Sequence, residues 1–361
     1  MRKNWPHLIG YVTAAASLVY GALGLLWALG GPGFPFGVGD PDMVEEGTNA
    51  LHANLLGVST PEAAGPIIAA VGVFGAVAAL LMARGIGRGA LRGALVAVAG
   101  VFAVGLGVVV QDYRPLTVVA YLPILGVGKL LFGWPEGVSI GALANWPSIN
   151  LTLLLLLALA WVFTAVAYLR KTRGACGNCG RDDVHDGHGL VRWGRPAVIV
   201  AMVVPLLYCA TRWAWALGWP IGLEEEFYRE GKEVGLWIAG AALASMGALG
   251  ALLTLGLIQR WGEVFPRWMI GLRGRRVPVM LAVVPATVVA LLVTSAGTMY
   301  IRLAFTMGVE GNWATNMPET LWPVWGGALL LAALAYLQRR RGACRTCGRG
   351  ALARTGEKAL A

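Results

Sequence analysis

Eight stretches of the chain, each long enough to cross the hydrocarbon core of a bilayer as a helix, pass with almost no charged side chain. They lie near residues 8–30, 64–83, 93–111, 148–169, 196–218, 235–258, 277–298 and 321–337. Within lipid a backbone finds no water to hydrogen-bond, so each stretch must satisfy its own polar groups, which a helix does. Only 13% of the 361 residues are charged, where a soluble domain carries about a quarter. The fold class expected is therefore an all-α, multi-pass membrane protein with about eight transmembrane helices. The apolar run after Met1-Arg2-Lys3 is longer than a signal-peptide core and lacks a small-residue cleavage site after it. It reads as a retained first span.

Basic residues choose the orientation. The segments 1–7, 84–92, 170–195, 259–276 and 338–361 hold 23 of the 29 Lys and Arg residues, and the rest of the chain holds 14 of the 19 acids. Both termini are thus expected in the cytoplasm. The net charge of +10 reads as this segregation, with no nucleic-acid partner implied. One further apolar run, residues 116–133, is broken by Pro123, Gly126, Gly128 and Lys129. A ninth span there would invert every later one, so it is read as a re-entrant or interfacial segment.

The chain also repeats itself. "YLRKTRGACGNCGR" (168–181) and "YLQRRRGACRTCGR" (336–349) share nine of fourteen positions at an offset of 168. "LVYGALGLLWALGGP" (18–32) aligns with "LLYCATRWAWALGWP" (206–220) at an offset of 188, and the pair "NW" at 145–146 recurs at 312–313. The expected organisation is a first four-helix repeat over 1–181, a cytoplasmic linker over 182–195, and a second four-helix repeat with a short basic tail over 196–361. An even number of spans in each makes the repeats parallel, related by an axis along the membrane normal.

Each repeat ends in Cys-x-x-Cys-Gly: Cys176 with Cys179, and Cys344 with Cys347. Two intervening residues let both sulfurs face one metal, and the glycine permits a tight turn. Two such knuckles supply the four thiolates of a closed tetrahedral zinc site, which would tie the repeats together. Three other readings stay open, the plainest being that the pairs carry neither a metal nor a redox role. His185 and His188 could complete a local site with the first knuckle, or the pairs could be redox dithiols. Cys209, inside a span, reads as a small buried residue.

Within the spans, Arg212 is the costliest residue to place in lipid. It is expected to face a cavity or to pair with Glu224, Glu225 or Glu226. Tyr20 with Trp27, and Tyr208 with Trp215, each lie seven residues apart on one helical face and suggest either an aromatic pocket or plain core packing, and together with Arg212 they form the possible intramembrane polar site. Asp112, Arg114 and Arg302 read as interfacial anchors, and the acids of residues 39–47 as solvated loop charges. The fifteen tryptophans suit an interfacial belt. Gly240, Ala244 and Ala248 form a small-residue ridge for helix contact. No phosphate loop, dinucleotide fingerprint, zinc-protease motif or nucleophile elbow is found, so no catalytic residues are named, which weighs against an enzyme but leaves the thiol redox reading open.

The stretch "RWGEVFPRWMIGLRGRRVPVMLAVVPA" (260–286), with "YGALGLLWALGG" (20–31) and the knuckles, resembles uncharacterised multi-pass membrane proteins of actinobacteria. That resemblance implies a bacterial plasma membrane location and brings no activity or site residues. Three classes of function follow from the residues. One is a pseudo-symmetric scaffold or regulatory protein in the lipid bilayer, with cytoplasmic zinc knuckles that dock a protein partner. Another is a permease-like transporter with a path between the repeats. The third is a membrane thiol redox protein.

Overall fold

A computed structural model describes residues 5–40, 54–121, 126, 145–182, 189–307 and 311–350. Among these the protein is helical, with one isolated antiparallel bridge between Val264 and Arg276. Among the described residues, eight helices are long and apolar enough to cross a membrane, as the hydropathy pattern requires. The chain is an all-α multi-pass membrane protein. It divides into two compact units, one covering Met1–Asp186 with Gly342–Ala361, the other Gly187–Arg341.

In the first unit, α1 (Trp5–Ala28) packs on α2 (Pro61–Arg84) and on α4 (Trp146–Thr172), and α4 also packs on α3 (Gly89–Val104). The buried face of α1 is Gly10, Thr13, Ala14, Ser17, Gly21, Gly24 and Trp27, while Leu18, Val19 and Leu25 are exposed. This inversion is what lipid imposes. Burying leucine gains nothing when the solvent is itself apolar, so close packing of small residues holds the helices. The approach of α1 to α2 is near the limit: a Cβ on Gly72 would lie 2.5 Å from Gly21 Cα, and one on Gly24 would lie 2.7 Å from Ala69 N. Between α1 and α4, the hydroxyls of Thr13 and Thr164 are 2.9 Å apart.

Local sequence explains the helix ends. Pro61 opens α2, where its missing N–H costs nothing, and Gly85 closes it in a left-handed turn at φ 77°. Asn145 caps α4, its side-chain oxygen accepting from Ser148 N–H at 3.0 Å, and Arg170 and Lys171 end it. Beyond Val104, α3 widens into a π turn over Gly105–Val109. Gln111 partly repairs the disturbed ladder, its amide donating to Leu106 O at 2.6 Å and Leu151 O at 3.1 Å. The Trp161 ring stacks on Phe102 at 4.4 Å in the core.

In the second unit, α5 (Gly194–Ala216) packs on α7 (Leu236–Thr254) and on α9 (Trp322–Arg340), and α9 also packs on α8 (Val279–Met307). The short polar helix α6 (Glu225–Glu233) precedes α7. First on second, first on fourth and third on fourth is the contact scheme inside each unit. The ridge read on α7 faces inward at Ala244, which is fully buried. Residues 114–121 are helical; most of the 116–133 segment lies outside the described residues.

Candidate metal centre

The two knuckles meet inside the first unit. Cys176 Sγ lies 4.0 Å from Cys344 Sγ, and Cys179 Sγ lies 3.7 Å from Cys347 Sγ. All four sulfurs fall within 4.8 Å of one another. A tetrahedral zinc with bonds of ~2.3 Å would set its sulfurs ~3.8 Å apart, so small side-chain adjustments close the site. The same separations are far beyond a disulfide bond, and all four cysteines are free thiols.

Each knuckle builds the same turn. Cys176 N–H donates to Arg181 O at 3.0 Å and Gly180 N–H to Cys176 O at 2.7 Å; Cys344 N–H donates to Arg349 O at 2.9 Å and Gly348 N–H to Cys344 O at 2.8 Å. The turn needs a left-handed residue, supplied by Gly180 at φ 75° and Gly348 at φ 70°. It also aims backbone N–H groups at the first sulfur: those of Cys179 and Asn178 at Cys176, and those of Cys347 and Thr346 at Cys344. The knuckles brace each other. Arg181 Nη1 donates to Arg349 O at 2.8 Å and to Gly342 O at 3.1 Å, and Arg349 Nη1 donates back to Arg181 O at 3.1 Å.

The electrostatics favour a cation. Backbone N–H groups pull the Cys176 thiol below its ordinary value and take Cys344 to about 5. Burial, with the neighbouring sulfurs, pushes Cys179 up to about 12. Four thiolates cannot gather without an opposing charge, and a divalent ion supplies it. Four ligands would leave no open position, so such a centre is structural and performs no hydrolysis. His185 and His188 lie outside the described residues.

The intramembrane site resolves differently from expectation. Arg212 does not pair with Glu224, Glu225 or Glu226, which are exposed. Its guanidinium bonds the buried carboxylate of Glu319 and donates to Ala314 O and Thr315 O, each at 2.9 Å. The Tyr208 and Trp215 rings flank it, each centroid 4.4 Å away. Glu319 is ninety-four residues further along the chain than Glu225. A search near Arg212 in sequence misses it, although it sits at the arginine-poor end of a span, as Arg212 does.

In the first unit, Trp27 is core: it is buried edge-on between Tyr20, at 5.8 Å, and Phe34, at 5.7 Å. The Tyr20 hydroxyl donates to Asn150 Oδ1 at 3.0 Å. Asp112 and Arg114 are not interfacial anchors, and Asp40 is not a solvated loop charge. All three are buried. Arg114 Nη1 donates to Asp40 Oδ2 at 2.6 Å and Nη2 to Asp112 Oδ2 at 2.7 Å, with Asn54 reaching Asp112 at 3.4 Å. Asp-Tyr-Arg at 112–114 signals this only through its two-residue spacing, which lets one carboxylate grip both the backbone and the side chain of Arg114.

Comparison with protein families, with curated proteins and with solved structures found no match for this chain.

Proposed function

We propose that the protein is a membrane scaffold or regulatory protein in which Cys176, Cys179, Cys344 and Cys347 hold one structural zinc ion on the cytoplasmic face. The observation that carries this reading is the gathering of four thiols from two knuckles of the same turn geometry. Zinc would fasten the segment after α9 to the segment after α4, and would leave Gly177, Asn178, Arg345 and Thr346 exposed at the knuckle tips to meet a protein partner. The shared packing scheme of the units and the equivalent pairing of the sulfurs support an internal duplication. The basic segments support cytoplasmic termini, and the resemblance supports a bacterial plasma membrane.

Metal analysis of the purified chain tests the centre. One zinc per chain is expected, lost from Cys176→Ser/Cys179→Ser and from Cys344→Ser/Cys347→Ser, and kept by His185→Ala/His188→Ala. Bound zinc should raise stability by about 2.7 kcal/mol at a hundredfold excess over Kd. Acidification should release it, because protons compete for the sulfurs. Zinc that survives loss of the second knuckle but disappears with the histidines would support a local Cys/His site. A metal-free protein that readily forms a Cys176–Cys179 disulfide would support redox chemistry. Impermeant thiol labelling checks the orientation: a cysteine introduced at Glu225 should react from outside, and Cys176 should not.

A further inference from the structure

We propose that the second unit binds a phosphate-bearing anion, a lipid headgroup or free phosphate, in the cavity between the arginine-bearing ends of α5 and α9 and the apolar turn that follows α7. The cavity has a volume of about 330 Å³ and is lined by Arg192, Arg195, Arg339, Tyr336, Leu257 and Ile258, among others. That volume is at the small end for ligand sites and suits a headgroup better than a whole lipid. Three candidate spans, Val191–Ala216, Leu236–Leu257 and Trp313–Arg340, have an end at it, which sets it at the lipid–water boundary. Gly194 brings α5 close to α9 there, since a Cβ at that position would lie 3.1 Å from Ala335 Cβ.

The three guanidinium groups differ in their commitments. Arg339 is held in place, its Nη2 donating to Leu257 O at 2.9 Å and to Glu263 Oε1 at 3.0 Å. Glu263 is shared with Arg340 at 3.9 Å, so the one carboxylate engaged there is already answered. Arg192 and Arg195 are exposed and make no ion pair among the described residues. Arg192 lies over the Trp193 ring at 5.6 Å, and that exposed indole suits headgroup depth. Guanidinium forks match phosphate oxygens in pairs, as an ammonium cannot. The positive end of α5 opens on the same cavity.

The test is native mass spectrometry of the full chain in detergent, titrated separately with phosphatidylglycerol, phosphatidylcholine and inorganic phosphate. One saturable phosphate-bearing ligand is expected. Arg192→Gln/Arg195→Gln should weaken it about tenfold or more, and Arg192→Lys/Arg195→Lys should restore part of the loss. Arg273→Gln/Arg275→Gln, exposed in the same unit, should not weaken it. Preference for phosphatidylglycerol over phosphatidylcholine assigns the site to a lipid headgroup; binding of inorganic phosphate alone assigns it to the free ion. Equal weakening by both Gln pairs, or by neither, overturns the proposal.

Discussion

Helices α1 and α5 share a sequence pattern and use it in opposite ways. In the aligned stretches Tyr20 and Trp27 stand opposite Tyr208 and Trp215, while Gly21 and Gly24 stand opposite Cys209 and Arg212. In α1 the two glycines let α2 approach until backbone meets backbone. In α5 the Cys209 thiol reaches Ala244 O at 3.1 Å, and Arg212 fills the space between its two rings and bonds Glu319. The aromatic frame is kept and its filling is exchanged. One helix is held by close packing, the other by a buried charge. In lipid both serve, but they fail differently: tight packing tolerates no added atom, and a buried charge tolerates no lost partner.

Breaking the charged side should have the largest effect. Glu319→Ala leaves Arg212 buried and unpaired and should cost about 3–5 kcal/mol, read as thermal unfolding of the solubilised protein. Arg212→Leu/Glu319→Leu should recover most of that loss, because no lone charge remains. If the double variant is no better than Glu319→Ala, the pair is not the element that holds α5. Crowding the packed side comes next. Gly24→Ala should cost about 1–3 kcal/mol, since its Cβ would meet the Ala69 and Gly65 backbone at 2.7 Å and 2.9 Å. A tolerated alanine would show that α1 and α2 can separate freely.

Smaller changes sharpen the contrast. Tyr20→Phe removes the hydroxyl that donates to Asn150 and should cost about 0.5–1.5 kcal/mol. Tyr208→Phe should cost less in the same assay, because the ring face over Arg212 stays. Cys209→Ala should have the least effect, under about 1 kcal/mol, as a thiol is a weak donor. A larger loss would mean that the Ala244 contact matters as much to α5 as glycine packing does to α1.

The eight spans were legible because hydropathy runs along the chain and a bilayer reads it one segment at a time. The knuckles were legible for a similar reason: Cys-x-x-Cys-Gly encodes its own turn within six residues. What binds distant segments was not. The partner of Arg212 was sought among nearby acids, but the 3-10 turn just before α9, Pro318–Leu321, delivers Glu319 instead. Asp40 and Arg114 are seventy-four residues apart and look in sequence like separate loop charges. Which glycines meet backbone and which face lipid is also invisible in a string where glycine is frequent.

The sequence by itself determined that this chain lives in a membrane as apolar helices, that its positive charge gathers on alternate connections, and that it carries two equivalent cysteine turns. These follow from local chemistry, in which each residue acts on its neighbours or on solvent. Only the tertiary structure decided that all four thiols share one centre within the first unit, that Arg212 is matched by Glu319, and that Asp40, Asp112 and Arg114 are buried together. A buried charge or thiol finds its partner by distance in space, and the helices that set that distance are positioned by packing, which no single segment specifies.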